Sequence, residues 1–192
     1  MALTFVTSNL HKFKEVSELA VGRGMKITHH KLHYTEVQAD DLEEIARLSV
    51  LEVCSKLGKP CFVEDAGLFV EALHGFPGPY SNYVFRTIGN SGVIKLMYGE
   101  ENRQAEFRSA VGYCEPGKKP KIFVGKVAGE IAEEARGTAG FGFDPIFLPQ
   151  EGDGRTFAEM STSEKNRFSH RARAVDSFLS WFKEVKGWEN DR

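Results

Sequence analysis

Glu64 and Asp65 stand side by side after the apolar run Cys61-Phe62-Val63, and Gly67 follows them. Adjacent carboxylates repel each other and resist desolvation, so the end of a buried strand is costly for them unless a cation compensates. Mg²⁺ suits that place, because it prefers carboxylate oxygens and commonly arrives with phosphates and water. The plainer reading is a pair of turn carboxylates. Glu36 is a third candidate ligand, just before the acidic stretch Asp40 to Glu44. Within that stretch Asp40, Asp41, Glu43 and Glu44 read as the start of a helix, where the dipole favours negative charge.

Three other constellations carry chemistry. Thr7-Ser8-Asn9-Leu10-His11-Lys12 falls at a strand-to-helix junction, where outward backbone N–H groups bind anions and Lys12 adds a full charge. An ordinary Ser/Asn cap with a solvated lysine explains the same residues. Gly140-Phe141-Gly142-Phe143-Asp144-Pro145 combines glycines that permit close backbone approach with rings that can stack on a base, although a tight core turn is equally consistent. Ser163 to Arg171 includes Lys165, His170 and Arg171, which would gather donors and positive charge in the first turns of the last helix. A solvated basic face is the alternative there. His29, His30 and His33 imitate metal-ligand spacing, but neighbours on a strand point to opposite faces, so they read as surface residues. His11 and His74 have no evident partner.

The elements that must position these groups follow from pattern. Leu3 to Thr7 reads as a strand; Phe13, Val16, Leu19 and Ala20 recur at helical spacing up to a stop at Gly22. Lys26 to Val37 looks extended. Asp41 opens a helix through a capping-box pattern, and that helix ends at Gly58-Lys59-Pro60. Cys61 to Val63 is a short strand ending at Glu64. After the bend Gly75 to Pro79 come short helices between Ser81 and Tyr98. Phe107 to Cys114 and Ile122 to Glu130 flank a turn as a long hairpin. Ser163 caps a last helix with Phe168, Ala172, Val175, Phe178, Leu179 and Phe182 on its buried face. This mixture of helices, crossovers and hairpin specifies an α/β or α+β class with a mixed sheet.

With 192 residues the chain can bury a core in one domain. A formal net charge of −2 argues against coating a nucleic-acid polymer, which relies on broad phosphate neutralisation. Cys54, Cys61 and Cys114 show no metal spacing, and an odd count of core-type thiols points to a reducing, cytoplasmic setting. The opening segment lacks the apolar core of an export signal, and no apolar run reaches membrane-spanning length.

Taken in order, the four constellations resemble the inosine triphosphate pyrophosphatase family. The resemblance rests on Thr7-Ser8-Asn9-x-x-Lys12-x-x-Glu15, on Val63-Glu64-Asp65-Ala66-Gly67-Leu68 continuing to Gly75-Phe76-Pro77-Gly78-Pro79-Tyr80-Ser81, and on Gly140 to Phe147. It also rests on Phe157-Ala158-Glu159-Met160 through Glu164-Lys165-Asn166 to Ser169-His170-Arg171. The match spans nearly the whole chain and is closest to an archaeal type. It implies one domain over 1–192, an α/β fold with two lobes, a long mixed sheet flanked by helices and a cleft between the lobes. It also implies a homodimer, Mg²⁺ dependence, and hydrolysis of ITP, dITP and XTP to monophosphate and pyrophosphate. By position, Glu36 and Asp65 would hold Mg²⁺, and Asp65 would also activate water. Thr7, Ser8, Asn9, Leu10, His11, Lys12, Ala66 and Lys165 would hold the triphosphate. Phe141, Gly142, Phe143 and Asp144, with His170 and Arg171, would surround the base. Two positions depart from the family pattern: Ala66 stands where a serine is usual, and Leu48-Ser49 stand where several relatives place a lysine.

The nearest enzymatic rival is a related nucleotide pyrophosphatase acting on another non-standard or modified triphosphate, which a substrate panel separates; three further rivals are weaker. A Nudix-type hydrolase would need a long Glu-rich helix. A nucleotide sensor would not need the acidic pair, and an RNA-binding module would need a dominant basic patch with exposed aromatics.

Overall fold

Leu3–Val6 form strand β1, all four residues buried. Thr7-Ser8-Asn9 then turn the chain into helix α1, Leu10–Gly22. In the computed structural model, which describes residues 3–35 and 37–187, β2 (Ile27–His30) returns parallel to β1. Helix α2 (Leu42–Leu57) starts on the Asp41 side chain, which accepts from the Glu43 N–H, and stops at Gly58 with φ 66°. It leads to β3 (Cys61–Val70), which pairs parallel with the other side of β1. A two-residue strand β4 (Pro77–Gly78), helices α3 (Ser81–Thr87) and α4 (Gly89–Leu96), and the hairpin β5 (Gln104–Cys114) and β6 (Lys121–Ile131) follow. A short β7 (Phe147–Pro149), one-turn helix α5 (Thr162–Lys165) and long helix α6 (His170–Lys186) complete the described chain. The seven-stranded mixed sheet runs β2-β1-β3-β5-β6-β7, with β4 against β3.

The two parallel crossovers set the location of a site. From β1 the chain moves outward to β2 through α1, then back across β1 to β3 through α2. Right-handed crossovers in opposite directions place their helices on opposite faces. The packing agrees: Val16 and Ala20 of α1 share a cluster with Phe62, whereas Val50, Val53 and Cys54 of α2 share one with Cys61 and Val63. Neighbours on β3 point to opposite faces, so 62, 64, 66 and 68 face α1, and 61, 63, 65, 67 and 69 face α2. The carboxyl end of β1 is therefore a topological switch point, the place where ligands bind in open α/β sheets.

Helix α6 joins α1 on its face, and glycines allow the close approach. A Cβ at Gly125 would lie 2.2 Å from the His170 carbonyl oxygen, and one at Gly112 would lie 2.6 Å from that of Ala46 in α2. The α1/α6 face carries two apolar clusters. One contains Phe5, Phe62, Val111 and Phe178; the other contains Leu68, Phe107, Phe147 and Phe157. Between them on the same two strands stand Glu64 and Ser109, both buried. Polar side chains thus mark a seam between two cores.

Several expectations need correction. β3 does not stop before Glu64 but runs on to Val70, because β5 pairs with it from Cys61↔Cys114 to Val70↔Ala105. Among the described residues of 26–37, extended pairing is confined to Ile27–His30, the length that β1 can match. Ser163 does not cap the last helix. Ser161 and Glu164 close a capping box on the short α5, and the Ser169 hydroxyl accepts from the Ala172 N–H to start α6. Lys165 consequently ends one helix while His170 and Arg171 begin the next, and Phe168 lies between them.

Candidate active site

At this switch point, Asn9 organises the start of α1. Its Oδ1 accepts from the His11 N–H at 2.9 Å and the Lys12 N–H at 3.1 Å, and its own N–H donates to Thr7 Oγ1 at 3.1 Å. Two first-turn amides assigned to an anion are therefore capped by protein. What remains for a phosphate comprises the Leu10 position, the exposed Ser8 and the Lys12 ammonium. Thr7 is buried, and its carbonyl meets His29 Nε2 at 2.8 Å.

Lys12 reaches across to β3. Its Nζ donates to the Glu64 carbonyl oxygen at 2.9 Å and pairs with the Glu64 carboxylate at 3.0 Å. Glu64 also accepts from Ser109 Oγ at 2.6 Å and lies 3.2 Å from Arg171 Nε. Arg171 NH1 donates to Glu15 at 2.5 Å. Lys165 Nζ then bridges Glu15 at 2.8 Å and Asp144 at 2.7 Å. Lys12, Lys165 and Arg171 thus face Glu15, Glu64 and Asp144 in one chain of ion pairs that fills the seam. Each buried charge has an opposite partner, the condition under which such groups are tolerated away from water.

Burial alone would push Glu64 and Glu15 towards protonation. For Glu64, Arg171 and Lys12 outweigh that and hold its carboxyl well below the usual value of 4.5; for Glu15, Arg171 and Lys165 outweigh burial and lower it. Arg171, despite the opposing effect of burial, is held more firmly charged by Glu64 and Glu15. His170 moves the other way. Burial first, then Arg171 and Lys165, lower its pKa well below 6.5, so its ring is neutral. It stacks on Phe107 with centroids 4.6 Å apart, and its Nδ1 has no hydrogen-bond partner among the described residues.

The Gly140–Pro145 segment divides between two roles. Asp144 is buried and accepts from the Phe141 N–H at 2.9 Å, which holds the loop over the ion pairs. Phe141 is half-buried, with Lys165 Nζ at 5.1 Å and the Arg171 guanidinium at 5.3 Å from its ring centre. The Gly142 carbonyl oxygen accepts from Asn90 at 3.2 Å. Phe143, expected beside the base, instead packs in the core edge-on to Phe85 at 5.6 Å. Its position follows from the left-handed turn at Gly142, φ 63°, which sends successive rings to different sides. His11, which the sequence left without a partner, stacks on Phe141 at 5.3 Å.

Asp65 lies on the α2 face of β3, one residue and one strand face away from Glu64. The structure thus brings Lys12, Asp144, Lys165, Phe141, His170 and Arg171 together, and sets Asp65 on the other side of the sheet plane where β1 has ended. Glu36 lies outside the described residues. Ala66 is half-buried beside Glu64 and Asp65, and Ser49 is buried in α2 while Leu48 is exposed, so neither supplies a cation. Among the described residues no group of three or more His, Cys, Asp or Glu side chains could hold a metal ion by itself.

Glu15, Ser109 and Asn166 form the site's frame without having been assigned roles in it, and Glu64, read from sequence as half of a cation-binding pair, is compensated by Lys12 and Arg171. Asn166 Nδ2 donates to the Glu15 carbonyl oxygen at 3.1 Å. Glu15 carried a readable signal, since it falls beside Val16 on the buried stripe of α1, where an acid must find a partner. Ser109 carried none.

The Ham1 family profile matches residues 3–181. A dITP/XTP pyrophosphatase of Methanopyrus kandleri is 52% identical over 183 residues, covering 95% of this chain and 97% of that protein. A HAM1 protein from Coxiella burnetii superposes with a TM-score of 0.83 at 28% identity, over 96% of this chain and 100% of its own. A nucleoside-triphosphatase, dITP/XTP pyrophosphatase, from Mycobacterium abscessus superposes at 0.72 with 29% identity, over 93% and 99%. Fold and sequence agree over nearly the full length, and the chain belongs to the Ham1 family.

Proposed function

We propose that this protein hydrolyses non-canonical purine nucleoside triphosphates, namely ITP, dITP and XTP, to the monophosphate and pyrophosphate, with Mg²⁺. The observation that carries the reading is the set of cations Lys12, Lys165 and Arg171, assembled by ion pairs beside the start of α1 and the Phe141 ring, with Asp65 on the neighbouring face of β3. The Methanopyrus kandleri relative, a dITP/XTP pyrophosphatase, supports the same substrate class.

Mg²⁺ fits the residues present. It commonly takes one or two carboxylates together with phosphates and water, so a full protein cage is not required. Asp65 and Glu36 would hold it, and when bound with the triphosphate it lowers the negative charge that an incoming nucleophile meets. Glu64 is already committed to Lys12 and Arg171, which separates the roles of the two adjacent acids. Asp65 orients water and accepts its proton. Lys12, the less buried of the two site lysines with 17% of its side chain exposed, meets the phosphates. Lys165 uses two of its three N–H groups on Glu15 and Asp144, leaving one donor. For the base, Arg171 can only donate, so it matches a 6-oxo group and leaves a 6-amino group unpaired.

The test is pyrophosphate release from ITP, XTP, dITP, GTP and ATP, with Mg²⁺ or with excess chelator. The expected result is equimolar pyrophosphate and monophosphate from ITP, dITP and XTP, little from ATP, and none in chelator. Release of single phosphates, or equal rates on ATP and ITP, would overturn the assignment.

The same proposal includes a homodimer in the cytoplasm. All three cysteines are free and buried, as a reducing compartment requires. Tyr80, Tyr83, Phe85, Ile88 and Leu96 are exposed in and around α3 and α4, a density of apolar rings typical of interfaces. Light scattering should report twice the chain mass of 21.5 kDa; the monomer mass at micromolar concentration would remove this part of the proposal.

A further inference from the structure

His11 is the second residue of α1, exposed to solvent, with its backbone fixed because its N–H donates to Asn9 Oδ1 at 2.9 Å. Its ring lies against Phe141 with centroids 5.3 Å apart and planes 24° from parallel. Lys165 and Arg171, both buried, approach the same Phe141 ring from within the seam. Phe141 is therefore occupied from the solvent side by an imidazole and from the buried side by cations. Aromatic partners sit about 4.5–7 Å apart, so at the observed separation no second ring fits between His11 and Phe141. The backbone cap confines any rearrangement to the His11 side chain, which has solvent to move into.

We propose that His11 is a place-holder for the purine: its imidazole covers the outer face of Phe141 until the entering base displaces it. The proposal rests on Phe141 serving as the base shelf in the reading above. It makes His11 a determinant of affinity acting through competition, because the base must exchange one ring contact for another.

Inosine monophosphate supplies the base and one phosphate, and inorganic tripolyphosphate supplies phosphates without a base. Calorimetric titration of both into wild type, His11→Ala and His11→Phe tests the idea. His11→Ala should bind inosine monophosphate about two- to tenfold more tightly, the range set by one lost ring contact. His11→Phe, which offers a larger competing ring, should bind it more weakly than wild type. Tripolyphosphate should bind wild type and His11→Ala alike, because the capped backbone and Lys12 are untouched. Equal or weaker monophosphate binding by His11→Ala would overturn the place-holder, as would a parallel gain for tripolyphosphate. If neither form binds the monophosphate while wild type still hydrolyses ITP, the base is held elsewhere and the idea fails. If the monophosphate results hold but wild type releases no pyrophosphate from ITP, the proposed reaction fails and the place-holder stands.

Discussion

Asp65→Asn should lower kcat for ITP by about a hundredfold or more with Mg²⁺ saturating, because the variant keeps the shape of the side chain and removes the proton acceptor. The case for Asp65 over its neighbour comes from strand geometry. Adjacent residues on β3 project to opposite faces. Glu64 goes to the α1/α6 face, where Lys12, Arg171 and Ser109 already engage it. A carboxylate held that firmly in its ionised form by two cations is a poor base. Asp65 goes to the α2 face past the end of β1, the side on which loop residues 37–41 lead into α2. The substitution should leave the urea midpoint near that of wild type, so that lost turnover reports chemistry and not unfolding. Turnover within threefold of wild type at saturating metal would remove Asp65 from the mechanism.

Glu64→Ala should instead act on stability, costing about 3–5 kcal/mol, the range for stranding a buried charge by deleting its partner. Arg171 would keep Glu15, but Lys12 would lose its carboxylate partner and Ser109 its acceptor. Glu64→Gln, which can still accept from Ser109, should cost less than the alanine variant. Acid denaturation supplies an independent check. The folded-state pKa of Glu64 lies below the ordinary 4.5, and that of Glu15 is lowered too, so the native state binds fewer protons than the unfolded chain in this range. Their contribution is fully present above pH 4.5 and is lost as pH falls through the depressed folded values. Wild type should therefore lose stability steeply below pH 4.5, by up to about 1.4 kcal/mol per pH unit for each such carboxylate. Glu64→Gln should show a shallower acid limb. Urea midpoints measured from pH 3 to 7 give both results, and coincident acid limbs would mean that the Glu64 ion pairs do not support the fold.

Together these variants separate the two acids that sequence places side by side. One acts on catalysis at nearly constant stability, and the other on stability and its pH dependence. The distinction also bears on Lys12, which is at once a partner of Glu64 and a candidate phosphate contact. Loss of Glu64 would free its ammonium but remove the group that positions it.

Local chemistry determined much of this protein in advance. The Asp41 cap, the Gly58 stop, the buried stripe of α1 and the β5–β6 hairpin follow from propensity and periodicity, which depend only on near neighbours. The segments Thr7–Lys12, Glu64–Asp65, Gly140–Asp144 and Lys165–Arg171 could be singled out from residue type, but each also had an ordinary structural reading that local chemistry could not exclude. Tertiary structure alone decided how they are shared out. Whether β3 stops at Glu64 or continues to Val70 depended on β5, more than thirty residues away. Which acid of the pair is buried depended on cations arriving from α1 and α6. Phe143 joined the core while Phe141 stayed half-buried beside Lys165 because of the turn between them. Ser109 joined the site only through cross-strand register. Charge pairing over long sequence separation leaves no periodic mark in a chain, because its energy depends on distance in space and on exclusion of water, neither of which exists until the sheet and α6 have closed over the seam.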